Sequence, residues 1–470
     1  MSSFADPSQV NIFKTNYADK IADLIPRDMH LSRDIPFSQT ARVGANYVAA
    51  AILSAETGWT LSDGLSAATL NAPRAGTVKQ ATINAATTTL SSVVPWSSFS
   101  RSSGGDEVAF IEATKYIVKN NLKSHERLQE TLRLYANSFD LLGYVSYFTG
   151  TYDNVTWTNG TCGAGALNGL TFTNGIAPIP GSSTQRAIYF EPGQFAAGHW
   201  IGNDGNPGCT VLLIDSVGNS VGTGSLVKVY ADFHYIVVDF GLAAPTAPTA
   251  KYRPLQLPQS GTVRVCFQNM ELPGTSGVIT SNTFVGIQRI LGTQTGSLFG
   301  INVDNYSLWQ ATAFNCGGQY LSFDMIQKAI GLMYNRSGME GDLKIYLNPA
   351  AWARLAIDQA ALRNYDYSYR ATRAENGFNE LRYESQNGSA SIVSHRCVKE
   401  GEGFGLFLPS WIRGGSAEIA MTVPGTNVPI IYPMENQQGM KFNSFADQFL
   451  FCNSPAQNIY WYNANVQSPT

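Results

Sequence analysis

The sequence predicts an α+β fold because three kinds of stretch follow one another along the chain. Residues 106–137 carry ten charges in 32 positions with no Pro or Gly, which predicts one long helix. Residues 322–362 change from helical spacing to alternation and back to helical spacing. Short alternating runs, typical of strands, dominate the rest of the C-terminal part. A chain of 470 residues is long enough for two or three domains with substantial cores.

Residues 322–362 are predicted to form an α/β corner. Ser322 is a candidate N-cap, and the apolar residues after it recur at the spacing of one buried helix face: Ile326, Ala329, Ile330 and Met333. The run 343–347 alternates apolar and polar residues, which predicts a half-buried strand. Asn348 and Pro349 then favour the start of a second helix that extends to about Leu362. No residue pattern in this corner indicates catalysis.

The predicted long helix has a length of roughly 48 Å at 1.5 Å per residue. Its apolar residues lie close to one stripe: Val108, Ile111, Val118, Leu122, Leu128, Leu132 and Tyr135. An ordinary solvated helix on a globular enzyme fits the charges equally well. The length favours a structural role.

The N-terminal segments are predicted to lack cores of their own. Residues 1–57 form an arm in which 21–26 suggests a short helix and 27–37 is extended. Residues 58–105 are almost free of charge, and 77–100 are β-prone. An isolated hairpin is marginally stable in water, so we expect the arm and a projecting loop to pack on a neighbouring subunit.

Residues 151–268 are predicted to be a β-rich insertion with strands at 209–216, 226–240 and 262–267. Clusters of Gly, Asn and Pro separate these runs, and 243–250 resembles a linker. Later strands are predicted at 391–397, 404–408, 418–423 and 448–452.

The composition excludes several functional classes. Only 14% of residues are charged and the net charge is −3, which argues against tight nucleic-acid binding through clustered cations. No signal peptide and no apolar run long enough for a membrane span are expected. The six scattered cysteines are predicted to be reduced and mostly buried, without a disulfide framework or zinc site.

Residues 218–222 match the G-x-S-x-G nucleophile elbow, which would make Ser220 the nucleophile of a hydrolase. The elbow requires a helix after the serine, whereas here a second strand is predicted, so a β-hairpin turn is the preferred interpretation. The Gly-rich run 401–405 fits no nucleotide-binding fingerprint and is predicted to be a turn entering a strand.

Other candidate residues also favour structural roles. His395 and Cys397 could bind a metal from one strand face, but no second ligand pair has suitable spacing. The five histidines are far apart in the sequence. Three alternating tyrosines before two arginines could stack on nucleic acid, although an interface stripe is preferred: Tyr365, Tyr367, Tyr369, Arg370 and Arg373. We assign no catalytic, cofactor-binding or metal-binding residue and expect no cofactor.

Four stretches, in order, resemble the major capsid proteins of tailed double-stranded-DNA bacteriophages, the Hong Kong 97-type fold. They are the helix end Arg127–Asn137 followed by Leu142-Gly143, the segment 286–301 with Tyr306 and Trp309, the strand–Asn-Pro–helix run 343–352, and Ser444–Phe451. The helix end departs from the family pattern at Gln129-Glu130 and Ala136. None of the stretches is diagnostic alone.

The resemblance implies a domain order: N-terminal arm 1–57, extended E-loop 58–105, spine helix and start of the peripheral domain 106–150, β-rich insertion 151–268, and axial domain with returning peripheral strands 269–470. It implies self-assembly into the hexamers and pentamers of an icosahedral phage head, in the virion, enclosing double-stranded DNA without sequence-specific binding. Portal, decoration and scaffolding proteins would be partners, with assembly in the host bacterial cytoplasm and no membrane.

Two alternatives remain open. An encapsulin-like compartment shell has the same fold, although the large insertion and polar loop favour it less, and a serine hydrolase would use Ser220. Some relatives crosslink a Lys of the E-loop to an Asn. Lys79 is the single Lys in that loop here, and because nothing identifies a partner Asn, no such crosslink is predicted.

Overall fold

The computed structural model describes most of the chain, with gaps. The described residues are 29–39, 46–62, 69–96, 107–145, 150–152, 155–158, 161–162, 176–178, 184–205, 208–215, 220–241, 263–272, 280–338, 341–363, 381–385, 388–422, 430–434 and 438–465. Most buried apolar residues belong to one large cluster, and a second cluster lies under the α/β corner.

The long helix is confirmed as Glu107–Tyr135, 29 residues or about 44 Å at 1.5 Å per residue. It ends where the short helix Ile287–Gly292 begins against it. The backbone N–H of Gly286 donates to Ala136 O at 2.9 Å, and a Cβ at Gly286 would lie 2.8 Å from Ala136 N. Glycine at this position therefore allows the two backbones to meet.

The first sheet has five strands and packs against the long helix. Its strands are Phe37–Gln39, Ala86–Pro95, Trp411–Ala420, Ile431–Pro433 and Gly439–Cys452. Residues 86–95 pair antiparallel with 439–448 over ten residue pairs. The β-prone segment 77–100 was expected to project and pack on a neighbouring subunit. Residues 86–95 instead form a strand of this sheet, and Val94 is buried against Ile117 and Phe442 of the same chain.

The second sheet has six strands and mixed directions. In spatial order they are Thr312–Asn315, Ile459–Tyr462, Gly403–Leu406, Leu343–Leu347, Gly388–Ser394 and Leu381–Ser385. The central strand 343–347 pairs parallel with 388–394 and antiparallel with 403–406. As predicted, the Gly-rich run 401–405 is a turn that enters a strand.

The corner beside this sheet confirms its prediction. Ser322 Oγ caps the helix Phe323–Ser337 by accepting from Met325 N at 3.4 Å, and the four predicted apolar residues are the buried ones. Asn348 Oδ1 accepts from Ala350 N at 2.9 Å at the start of the helix Pro349–Arg363. The prediction that the strand 343–347 is half-buried was wrong at Tyr346. This residue is fully buried because the N-terminal segment covers it.

The third sheet is antiparallel and lies in the predicted β-rich insertion. Its strands, in spatial order, are Val263–Phe267, Thr210–Asp215, Ser220–Tyr230, Tyr235–Asp239, Gln185–Tyr189 and Ile176–Pro178. The predicted single strand 226–240 is two strands, because the 3-10 turn Ala231–Phe233 and the left-handed His234 (φ 52°) interrupt it.

Smaller elements complete the described fold. The helices not yet named are His30–Asp34 and Ala197–Trp200, and the remaining 3-10 turns are Val303–Asn305, Ser307–Trp309, Leu408–Ser410 and Pro455–Gln457. The small sheets are Tyr47–Ile52 with Val78–Ile83, Gly150–Tyr152 with Val155–Thr158 and Thr161–Cys162, Glu271–Leu272 with Thr280–Ser281, and Ser297–Leu298 with Ile301–Asn302. Among the described residues no helix is both long and apolar enough to cross a membrane.

Candidate functional site

Two features near the N-terminus stand out as candidate functional sites. The first, which we call the apolar hairpin, consists of the paired strands 47–52 and 78–83 and the loop between them. Its base packs on the body of the chain: Tyr47 lies 4.4 Å from the Phe449 ring, and Thr82 N donates to Phe299 O at 2.9 Å. One face at the base, including Ala51 and Ala81, is therefore buried.

Beyond its base the apolar hairpin exposes large apolar side chains. Ile52 and Val78 sit opposite each other in the ladder and are 76% and 58% exposed. In the loop, three more apolar side chains are between 75% and 91% exposed: Trp59, Leu61 and Leu70. Scattered exposed apolar residues are normal, but five large ones on a single hairpin and its loop are typical of an interaction surface.

The loop of the apolar hairpin keeps its shape through backbone and polar contacts. Thr57 and Arg74 exchange backbone hydrogen bonds, both at 2.9 Å. Asn71 donates from its side chain to Trp59 O at 2.7 Å, and its backbone N–H donates to Thr60 Oγ1 at 2.8 Å. In the described parts of the loop, 53–62 and 69–77, the exposed apolar side chains are thus carried by a hydrogen-bonded backbone.

The second feature is a buried group of four polar side chains, which we call the arm clamp: Ser32, Glu130, Arg133 and His395. Glu130 is 1% exposed and accepts from the N–H groups of Leu31 at 2.7 Å and Ser32 at 3.3 Å. Its carboxylate therefore caps the helix His30–Asp34 from another part of the chain. The sequence prediction of an extended segment at 27–37 was wrong at these residues because that cap is 98 or more positions away.

Arg133 supplies the positive charge of the arm clamp. Its Nη1 lies 3.0 Å from Glu130 Oε2, with both side chains 1% exposed, and it also donates to Ser32 Oγ. Its Nη2 donates to Gln448 Oε1 at 3.2 Å, which ties the helix to the first sheet. A buried ion pair of this kind requires several hydrogen bonds to offset desolvation, and this pair has them.

His395 occupies the remaining side of the clamp. Its Nδ1 lies 3.1 Å from Cys397 N, and its Nε2 lies 3.1 Å from Glu130 Oε1. Burial lowers the pKa of His395, but the contacts with Cys397 and Glu130 outweigh burial and raise it to about 10, so Nε2 carries a proton at neutral pH and donates to the Glu130 carboxylate. His395 and Cys397 lie in a turn after the strand 388–394, so the predicted placement of both on a strand face was wrong.

The clamp controls the charge state of Glu130. Burial raises the pKa of this carboxyl, but the hydrogen bond and positive charge of His395, the charge of Arg133 and the Leu31 N–H outweigh burial and lower the pKa to about 2. Glu130 is therefore an ionised carboxylate at neutral pH in a fully buried position.

Further contacts hold the same N-terminal segment on two sheets. Arg413 is 3% exposed and donates from Nε to Ile35 O at 2.9 Å. Tyr346 donates from its hydroxyl to Asp34 Oδ2 at 2.6 Å, and Lys344 Nζ lies 2.9 Å from the same oxygen. Residues 30–37 therefore pack on their own chain, in contrast to the expectation that the arm packs on a neighbouring subunit.

The predicted apolar stripe of the long helix is confirmed at Leu132 and Tyr135, which are buried, but polar side chains occupy much of the buried face before them. Asn121, His125 and Gln129 are at most 3% exposed, whereas Val118 and Leu122 are half-buried. His125 Nε2 lies 2.7 Å from Thr88 Oγ1, and its Nδ1 lies 2.8 Å from Ser444 Oγ. Burial and the charge of Arg133 lower the pKa of His125 to about 4, so the ring is neutral near pH 7.

The structure also places most of the remaining predicted candidates. Ser220 is exposed and opens the strand 220–230, antiparallel to 210–215, so no helix follows it and the nucleophile elbow is excluded; 216–219 lie outside the described residues. Lys79 is an exposed residue of the apolar hairpin. His30 and His395, predicted to be apart, have ring centroids 5.4 Å apart. The segments 21–26 and 365–373 lie outside the described residues.

The predicted burial of the cysteines is confirmed for the described thiols. Cys209 is half-buried and four others are buried, all without a disulfide: Cys266, Cys316, Cys397 and Cys452. Burial raises the pKa of Cys316 and Cys452 to about 12, so these thiols are protonated and inert. Among the described residues there is no cluster of three His, Cys, Asp or Glu side chains that could hold a metal ion.

No protein-family model matches the sequence, and no curated relative matches it. In fold the chain is similar to the cyanophage A-1(L) capsid asymmetric unit, with 9% identity over 96% of both chains and a TM-score of 0.47. It is also similar to the capsid of a native GTA particle, with 6% identity over 96% of this chain and 95% of that chain, and a TM-score of 0.42. A third similar structure is that of Gordonia phage Cozz, with 7% identity over 96% of this chain and 91% of that chain, and a TM-score of 0.39. At such low identity and TM-score, the functional assignment depends on this chain's own surfaces.

Proposed function

We propose that this chain is a major capsid protein that self-assembles into the hexamers and pentamers of an icosahedral phage head. The observation that carries the proposal is the apolar hairpin, which projects five large apolar side chains from an ordered backbone. Burying each of them would contribute about 1.5–3 kcal/mol. A second copy of the chain is the partner that a self-assembling shell supplies at every such position.

The sequence resemblance supports the same proposal. The helix end, the strand–Asn-Pro–helix run and the C-terminal stretch 444–451 all belong to described elements, and the first sheet packs against the long helix. The extended E-loop of the family would correspond to the apolar hairpin. The hairpin begins at Tyr47, whereas the predicted E-loop range was 58–105. The segment 106–150 would be the spine, 151–268 an outward-facing insertion, and 269–470 the axial domain with returning strands.

The proposed role defines the partners. The shell would enclose double-stranded DNA without binding it tightly, which agrees with a net charge of −3 and only 14% charged residues. A portal would occupy one vertex, and decoration or scaffolding proteins would bind the shell. The chain would act in the virion after assembly in the host cytoplasm, and it would not be an enzyme.

Electron microscopy of the purified chain tests the proposal. We expect closed shells, or rings and sheets of hexamers, from the unaltered protein. The double variant Leu61→Ser, Leu70→Ser should remain folded but assemble poorly, because both side chains are more than 80% exposed in the single chain. A matched control is Phe233→Ser, which removes an exposed aromatic side chain from the insertion and should leave assembly intact.

Two results would contradict the proposal that the chain is a phage capsid protein. An unaltered chain that stays monomeric at high concentration would contradict self-assembly. Particles from a native source that hold a cargo enzyme rather than nuclease-protected double-stranded DNA would indicate a cellular compartment shell instead.

A further inference from the structure

A buried Lys–Asp pair joins the segment after the long helix to a turn between two strands of the second sheet. Lys399 Nζ lies 3.1 Å from Asp140 Oδ2, and the two side chains are 0% and 6% exposed. Asp140 follows the long helix by five residues, and Lys399 lies in the turn between the strands 388–394 and 403–406. The arm clamp does not include this pair, and the capsid proposal does not use it.

The buried amine of Lys399 lies beside a row of aromatic rings. Lys399 Nζ lies 4.4 Å from the centre of the Tyr135 ring, and Tyr135 packs on Phe404, which stacks on Tyr460. The amine also donates to Gln194 Oε1 at 3.3 Å. Charged groups in such an environment are costly, so a reaction that removes both charges is favoured there.

The carboxyl group of Asp140 is polarised from its other side. Gln288 Nε2 donates to Asp140 Oδ1 at 2.6 Å, while Oδ2 faces Lys399. A fixed donor at one oxygen stabilises the negative charge that develops there when a nucleophile attacks the carbon. Lys399 and Asp140 are thus held in contact by buried partners on both sides, Gln194 at the amine and Gln288 at the carboxyl.

A third buried group lies close enough for its charge to act on both partners. Glu402 accepts from Tyr135 Oη at 2.9 Å and from Tyr460 Oη at 3.1 Å. Burial raises the pKa of Glu402 to about 7, the positive charge of Lys399 opposes the rise, and the negative charge of Asp140 adds to it. Glu402 can therefore hold or release a proton beside the pair near neutral pH.

We propose that Lys399 and Asp140 condense to form an isopeptide bond within one chain. The amine nitrogen bonds to the Asp140 carbon, and the bond from that carbon to Oδ2 breaks. The ammonium of Lys399 has three protons: one stays on the amide nitrogen and two leave with Oδ2 as water. No oxidant, cofactor or second protein is required, and the two opposite charges disappear together.

The bond would covalently join the segment after the long helix to the second sheet. Both segments belong to the described body of the chain, so the bond would not depend on assembly. It would turn the polypeptide between residues 140 and 399 into a closed loop and restrict the unfolded state.

Mass spectrometry of the denatured, full-length protein tests the proposal. We expect an intact mass lower than the sequence mass by one water, and a branched tryptic peptide that contains both Lys399 and Asp140. The variant Lys399→Arg keeps a positive charge but lacks the nucleophilic amine, so it should show the full mass. The variant Asp140→Asn should lose ammonia rather than water when it forms the same bond.

The unaltered protein alone decides the question, whether or not each variant folds. A full intact mass, with Lys399 and Asp140 recovered in separate linear peptides, would overturn the proposal. A water loss that persists in Lys399→Arg would also overturn it, because such a loss would come from cyclisation of an acidic residue without the lysine.

Discussion

The apolar hairpin and the segment 30–37 look alike in the sequence and behave in opposite ways in the structure. Both lie in N-terminal stretches without a core of their own, and both were predicted to pack on another subunit. The segment 30–37 is held on its own chain by Glu130, Tyr346 and Arg413. The hairpin leaves Trp59, Leu61 and Leu70 exposed.

The contrast shows that the two segments obtain their stability from different sources: Leu31 and Ile35 of the first are already buried in the core of the chain, whereas the large apolar side chains of the hairpin are exposed. The segment 30–37 makes directional hydrogen bonds to partners that are already fixed inside the fold. The exposed side chains of the hairpin can be stabilised only by removal from water, which requires another surface. We therefore expect changes in the arm clamp to alter folding and changes in the hairpin to alter assembly.

The largest expected effect is that of Glu130→Gln. This change removes the buried negative charge that pairs with Arg133 and weakens the cap of the helix His30–Asp34. We expect the free energy of unfolding to fall by about 3–5 kcal/mol, since a buried charge is left without its partner. Urea unfolding of the dissociated chain measures the loss.

A matched control is Asp324→Asn in the exposed pair Asp324–Lys328, which has an N–O distance of 2.6 Å and side chains more than 60% exposed. Its effect should stay within about 0.5 kcal/mol. Equal losses for the two variants would contradict the importance of the arm clamp.

A smaller effect concerns pH and the buried His125. Its pKa is about 4 in the fold against an ordinary value of 6.5, so between these values the unfolded chain binds a proton that the folded chain does not. The stability from neutral His125 is complete above pH 6.5 and is lost as the pH falls to about 4. His125→Gln should therefore flatten the fall in unfolding free energy by about 2–3 kcal/mol over this range.

The other acid-sensitive groups can be separated from His125 in that experiment. Burial is the main cause that lowers the pKa of His199 to about 3. His199 therefore lowers the free energy of unfolding in acid by the same amount in the variant and in the unaltered chain. Glu130 contributes only below its ordinary value of 4.5. Parallel pH curves for the variant and the unaltered chain would show that His125 does not titrate as its surroundings require.

Local patterns predicted the elements whose determinants lie close together in sequence. Ser322, Asn348 and Pro349 cap their own helices, and the four apolar residues 326, 329, 330 and 333 face the core as their spacing indicates. The length of the long helix followed from uninterrupted helix formers.

Long-range pairing and buried polar groups were beyond those patterns. The strand 86–95 pairs with 439–448, more than 340 residues away, and its own sequence does not specify that partner. Glu130 and Arg133 look like solvated helix charges, and their (i, i+3) spacing is equally common on exposed helices. Their burial depends on Ser32 and His395, which only the fold brings to them.

Hydroxyl-radical footprinting of the apolar hairpin tests the central claim most directly. Assembled particles and dissociated chains would be oxidised under the same conditions, and modification of Trp59, Leu61 and Leu70 would be compared with that of Phe233. We predict strong protection of the three hairpin residues in particles and unchanged oxidation of Phe233. Equal oxidation of the hairpin in both states would show that no other copy covers it and would contradict its proposed role in assembly.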